Sequence, residues 1–365
     1  MRRTALSLAG IALLVLLCIQ PASSALPADY PFLHTFSNST GTPWITGYSY
    51  GIAFSTSGVA YICSTGGHHV GAYTPAGDRI AWWEATWPSG IAVNSTGYVF
   101  VGDQGLSAFD PNHPPTGYYL DLFTPAGAHV KRVTMPNQVI GVTVNSSDSV
   151  FVSVRNEPAI QVFSRDGLSA GTIGSGLINA SAIAVNSTDH VYVLAGSQPG
   201  TISIFAQDGT LAGTMATGFP DVGGIAIGDD DTVFATDTTG NRFSVYTPSG
   251  SHLGTSSGGN LTNPAAIAVS PSGEVFVGDT RNIRVQVFSA VPLLTVPGGI
   301  ARPGDLEGDG LCDDVNGNGR KDFADVVLYF NQMSWIAANE PVAAFDYNGN
   351  GRIDFADGVW LVNNL

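Results

Sequence analysis

The chain of 365 residues carries 14 Lys+Arg against 29 Asp+Glu, a formal net charge of −15 with only 12% of residues charged. With 45 Gly, 21 Pro and 44% hydrophobic residues it has material for a core and many turns, which excludes a disordered chain and a helical bundle and favours an all-β fold. The longest basic run is Lys131-Arg132, too little to track a phosphate backbone, so no nucleic acid is expected as partner.

At the N-terminus, Arg2-Arg3, an apolar stretch from Ala5 to Ile19 and the small residues up to Ala25 follow the order of a secretory signal. Residues 1–25 are therefore expected to be removed, giving an extracellular, secreted or surface-associated chain. No later stretch reaches the roughly 20 apolar residues of a membrane span. Cys63 and Cys312 then remain, too few for a disulfide framework.

One phrase recurs six times: Gly51-Ile-Ala-Phe54, Gly90-Ile-Ala-Val93, Gly141-Val-Thr-Val144, Ala182-Ile-Ala-Val185, Gly224-Ile-Ala-Ile227 and Ala266-Ile-Ala-Val269. Each is followed by a polar turn, an alternating strand such as Glu274–Asp279, and a second such as Arg284–Phe288. A fourth strand follows Thr-Pro-x-Gly turns at Thr74–Gly77, Thr124–Gly127 and Thr247–Gly250. Four short strands per roughly 40 residues is the blade of a β-propeller, and six phrases predict six blades over residues 26–290. The last repeat lacks its fourth strand, whereas Phe32–Phe36 precedes the first repeat as an orphan. The N-terminal strand is therefore expected to complete the last blade and remove the open edge. An insertion, Asp110–Gly117, lengthens blade two. On the phrases from Ala266 to Phe288, the propeller resembles the NHL-repeat family, which includes protein-binding, RNA-binding and lyase members.

Residues 291–304 read as a linker, after which the composition changes. The 63 residues from Pro303 hold 11 acids and 3 bases, about half of the excess charge outside the signal. Here Asp314–Asp325 and Asp346–Asp357 are one twelve-residue phrase written twice. Loop positions 1, 3, 5, 9 and 12 carry side-chain oxygens: Asp314, Asn316, Asn318, Asp322 and Asp325, then Asp346, Asn348, Asn350, Asp354 and Asp357. Position 7 offers the backbone carbonyls of Arg320 and Arg352, and position 6 is Gly319 or Gly351. Six to eight hard oxygens around a glycine-turned loop is the donor set of Ca2+. Each loop runs into an apolar helical segment, Val326–Phe330 and Val359–Val362, with nothing helical before it. On these residues, 305–365 resemble a type I dockerin, an EF-hand-like module that implies two bound Ca2+ ions and docking onto a cohesin-like surface partner. Asp322 and Asp354 are expected to act through water. Positions 10 and 11, usually a polar recognition pair in dockerins, are Phe323-Ala324 and Phe355-Ala356; the phenylalanines either present an apolar docking face or pack a small core. Upstream, Asp305, Glu307, Asp309 and Asp313 offer a third loop overlapping the first.

Six Asn-x-Ser/Thr sequons mark Asn38, Asn94, Asn145, Asn179, Asn186 and Asn260 as glycosylation candidates. Asn94, Asn145 and Asn186 each stand four residues after their phrase begins, in a turn on one rim; the alternative is that Asn-Ser-Thr is turn chemistry. No catalytic constellation stands out. Asp103, Asp237 and Asp279 end equivalent strands and read as turn acceptors, and His68-His69 alternate in direction along an extended chain. The sequence favours a non-enzymatic binding or scaffold protein whose propeller rim takes a protein or glycan; the competing reading is a propeller lyase or lactonase-like hydrolase on the same docking module.

Overall fold

A computed structural model describes residues 28–36, 49–104, 117–177, 179–195, 200–307 and 309–365. The signal segment, Asn38 and most of the Asp110–Gly117 insertion lie outside the described residues.

The chain is mostly β, with two helices at its end. Strand β1 (Ala28–Phe36) stands before four separate four-stranded sheets. The first contains β2 (Ser49–Phe54), β3 (Ala60–Ser64), β4 (His69–Tyr73) and β5 (Arg79–Glu84); the second contains β6 (Pro88–Val93), β7 (Val99–Asp103), β8 (Tyr118–Phe123) and β9 (His129–Met135). The third is β10 (Val139–Val144), β11 (Val150–Val154), β12 (Ile160–Phe163) and β13 (Ser169–Ile173); the fourth is β14 (Ile183–Val185), β15 (Val191–Leu194), β16 (Thr201–Phe205) and β17 (Leu211–Ala216). The remaining strands are β18 (Val222–Ile227), β19 (Val233–Asp237), β20 (Arg242–Tyr246), β21 (His252–Ser257), β22 (Pro264–Val269), β23 (Glu274–Asp279) and β24 (Arg284–Ser289). They form one eight-stranded sheet in the order β18-β19-β20-β21-β1-β24-β23-β22. As the orphan strand implied, Phe32–Phe36 of β1 lies antiparallel to β24; its first half additionally runs parallel to β21.

The recurring phrase is the first strand of each unit. These strands pack one on the next, β2 on β6, β6 on β10, β10 on β14, β14 on β18, β18 on β22, and β22 back on β2. Four of the six phrases begin with glycine, the other two with alanine, because backbone meets backbone there: a Cβ on Gly90 would lie 2.8 Å from the Cα of Gly141, and one on Gly51 would overlap the carbonyl oxygen of Ser89. The third strands carry a buried ring at or next to their last residue, Tyr73, Phe123, Phe163, Phe205, Tyr246 and Phe288, beside which the outer strand usually bulges. Alternation along the middle strands fills the spaces between sheets with Val, Ile and Phe.

Beyond the strands lie α1 (Phe323–Asn339) and α2 (Phe355–Asn363), joined through a short 3₁₀ turn at Val342–Ala344. Leu293 and Val296, within the segment read as a linker, are buried. They join one hydrophobic cluster with Leu33, Ile52 and Phe276 of the propeller-like body and with Val326, Tyr329, Phe345 and Leu361 of the helical end.

Candidate metal centre

The two carboxylate loops share one set of backbone-to-carboxylate hydrogen bonds. Asp314 accepts the N–H groups of Asn318 at 2.9 Å and Gly319 at 2.6 Å; Asp346 accepts those of Asn350 at 3.0 Å and Gly351 at 2.6 Å. Asp325 accepts from the N–H of Asn316 at 3.0 Å and of Asp322 at 2.8 Å, matched by Asp357 with Asn348 at 3.1 Å and Asp354 at 2.8 Å. Gly319 and Gly351 take left-handed φ values of 78° and 80°, which is why position 6 must be glycine.

Asp322 and Asp354 have a role that spacing alone did not reveal. Each is the N-cap of its helix, accepting from Ala324 at 2.8 Å and Ala356 at 2.9 Å, in a reciprocal capping box with Asp325 or Asp357. The Asp-x-x-Asp spacing was the available signal, hidden because the same residues read as loop positions 9 and 12.

Asp325 and Asp357 are fully buried carboxylates. Burial, and then the neighbouring charges of Asp314 and Asp322, push the Asp325 carboxyl above its usual range. A buried carboxylate beside two others is costly without a cation. Each Asp325 oxygen spends one lone pair on an N–H and retains another, whereas Asp357 Oδ1 also accepts from the Asn348 side-chain amide at 2.7 Å. That chemistry fits a hard divalent cation completed by the Asn316 and Asn318 side-chain oxygens and the Arg320 carbonyl, with Asn348, Asn350 and Arg352 in the same places of the second loop. Among the described residues no three His, Cys, Asp or Glu side chains converge as a metal group. The loops would therefore depend on these amide oxygens.

The upstream phrase repeats the first half of the pattern. Asp305 accepts from Asp309 at 3.2 Å and Gly310 at 2.9 Å, and Asp309 accepts from Leu311 at 3.0 Å, as Asn350 does from Arg352. Here an internal cation is already supplied: Lys321 Nζ lies 3.0 Å from Glu307 and 3.4 Å from the buried Asp313. Burial works against the ammonium, yet these two carboxylates hold its pKa up.

Phe323 and Phe355 are each 64% exposed, although the Phe355 ring lies 5.1 Å from that of Phe330 on α1. With Ala324 and Val327 on α1, and Ala356 and Val359 on α2, they make two equivalent exposed apolar faces at the helix starts.

In the propeller-like body the strand-end aspartates close turns. Buried Asp279 accepts from Thr262 N–H at 2.7 Å, Asn282 at 2.9 Å and Arg284 at 2.7 Å; Asp237 accepts from Gly240 N–H at 2.8 Å and Arg242 at 3.2 Å. His68 and His69 use Nδ1 on the carbonyls of Thr86 and Gly67, and their rings contact different tryptophans, Trp87 and Trp82. Where the first strands meet, a cavity of about 140 Å³ is lined by Gly, Ala, Ile and Val with Gln104.

The sequons divide. Asn94 and Asn145 are buried, and with Asn186 they spend their side-chain oxygen on three donors of their own turns. Asn179 and Asn260 are exposed.

Residues 312–365 match the family model of the Dockerin type I domain, and residues 261–288, spanning β22 to β24, match that of the NHL repeat. No curated protein matches the chain. Among solved structures, a streptogramin B lyase shares 14% identity at a TM-score of 0.48, over 70% of this chain and 96% of its own. The chain thus carries an NHL repeat in its last strand unit and a dockerin type I domain at its C-terminal end.

Proposed function

We propose that this is an exported, surface-associated binding or scaffold protein. Its six-bladed propeller, residues 26–290, presents a rim to a protein or glycan. Its C-terminal module, residues 305–365, binds Ca2+ at two sites and docks through them onto a cohesin partner. The observation that carries the reading is the pair of loops with matching backbone-to-carboxylate bonds, each with a buried position-12 carboxylate and each placing an exposed Phe-Ala pair at the start of its helix. Ca2+ would order both loops and so fix Phe323 and Phe355 in place. The third acidic loop takes Lys321 in place of an ion. A cavity where the first strands meet, lined by Gly, Ala, Ile and Val with Gln104 as its one polar side chain among the described residues, supports binding at the rim over chemistry at the axis.

Calorimetric titration of the full chain with a type I cohesin domain tests the docking. Binding is expected in Ca2+ and not in chelator, weaker in F323D and F355D, and absent in the double variant. Equal affinity with and without Ca2+ would sink the reading.

A further inference from the structure

The outermost strands of the four separate sheets face solvent along much of their length: Ile80, Trp82, Val130 and Leu211 are exposed. Strand β1 holds the equivalent place beside β24, yet Tyr30, Phe32, Leu33 and Phe36 are all buried. It also closes the body twice, pairing parallel with β21 and antiparallel with β24. The β24 register breaks between Phe32 and His34, which makes Leu33 the extra residue of a bulge.

What covers Leu33 is the C-terminal module. Leu33 shares a hydrophobic cluster with Cys312, Ala344 and Phe345 of the module and with Leu293 and Val296 of the segment that leads into it. Gly310 sits directly on its backbone, where any Cβ would overlap the Leu33 carbonyl oxygen. The 3₁₀ turn Val342–Ala344 also contacts β1. This patch is tied to both carboxylate loops. Cys312 N–H donates to the Ala344 carbonyl at 2.8 Å, Tyr347 Oη donates to the Cys312 carbonyl at 2.6 Å, and Lys321 links the first loop to Glu307 and Asp313. Tyr347 follows the first ligand of the second loop, and its ring lies 5.7 Å from that of Tyr329 on α1.

We propose that the C-terminal module is an outer clamp on the ring-closing strand, so that Ca2+ binding in the module keeps β1 from opening away from β24 and β21. The proposal rests on the calcium reading above. Ligand binding confined to a folded module adds to the stability of whatever unfolds with it, and β1 has lost its cover if the module opens. The dockerin domain is then part of the body's closure as well as a docking tail.

Hydrogen exchange of the full chain, read by mass spectrometry in Ca2+ and in chelator, tests this. Peptides of α1 and α2 report Ca2+ binding itself; peptides covering 28–36 and 284–289 report the clamp. Chelation is expected to speed exchange in β1 and β24 by about tenfold or more, with β10 to β13 unchanged. In Leu33→Ala, and in the more disruptive Gly310→Val, α1 and α2 should keep their response while that of β1 falls below about twofold. Helices that respond while wild-type β1 does not would overturn the clamp and leave the calcium reading standing. Helices that do not respond would overturn both.

Discussion

Asp148, in the hairpin turn of the third sheet, holds Ser95 in the hairpin turn of the second through both carboxylate oxygens: Ser95 N–H donates to one and Ser95 Oγ to the other, each at 2.8 Å. The same fork joins Asp189 to Ser146 and Asp231 to Ser187. All three aspartates sit at left-handed φ, between 62° and 63°, where Gly58, Gly97 and Gly273 serve in the other turns. Aspartate tolerates that backbone less well than glycine, and the fork to the neighbouring sheet compensates.

Asp148→Asn should therefore lower stability by about 1–3 kcal/mol, because an amide keeps the turn but cannot accept both bonds. Denaturant unfolding of the full chain would measure it, and an unchanged midpoint would show that the fork contributes nothing.

The forks also bear on the glycan signals. Ser95, Ser146 and Ser187 are the middle residues of three sequons, whose asparagines are occupied with their own turns. Glycopeptide mass spectrometry of protein from its natural source should find any occupancy at Asn179 and Asn260 in preference to Asn94 and Asn145. The opposite distribution would mean that those turns open before they are glycosylated.

A pH dependence should arise at Glu340, just past α1. Its carboxylate accepts from Leu294 N–H at 3.2 Å on each oxygen, but burial dominates and lifts its pKa from 4.5 to about 7. A raised carboxyl binds its proton more tightly in the folded state, so stability declines as pH rises from about 4.5 to about 7 and levels off above. In saturating Ca2+ the melting temperature should fall by a few degrees, on the order of 2–4 °C, between pH 5.5 and 8. Glu340→Gln should flatten that dependence; a variant with the wild-type slope would assign it elsewhere.

Much of this was legible in the residues. The Gly-Ile-Ala phrase marks the innermost strand because only a small residue lets adjacent backbones touch, and the absent fourth strand after Phe288 announced the pairing of β1 with β24. The duplicated Asp-x-Asn-x-Asn-Gly phrase marked the two loops because oxygen-bearing side chains fall at every second position before a glycine. Contacts that join distant segments were not legible. The Ser95–Asp148 fork spans 53 residues, and its two ends read separately as a sequon and a turn. Lys321 is one exposed-looking base in the sequence, and only folding brings it to Glu307 and Asp313. Leu293 and Val296 looked like linker because nothing local says that Leu33 waits for them.

The most direct test is the number of Ca2+ ions that the two proposed loops take up. Native mass spectrometry of the intact chain titrated with Ca2+ should show two bound ions, one in Asp325→Asn or Asp357→Asn, and none in the double variant. A wild-type chain that takes up no Ca2+, or a double variant that still binds two, would contradict the calcium reading.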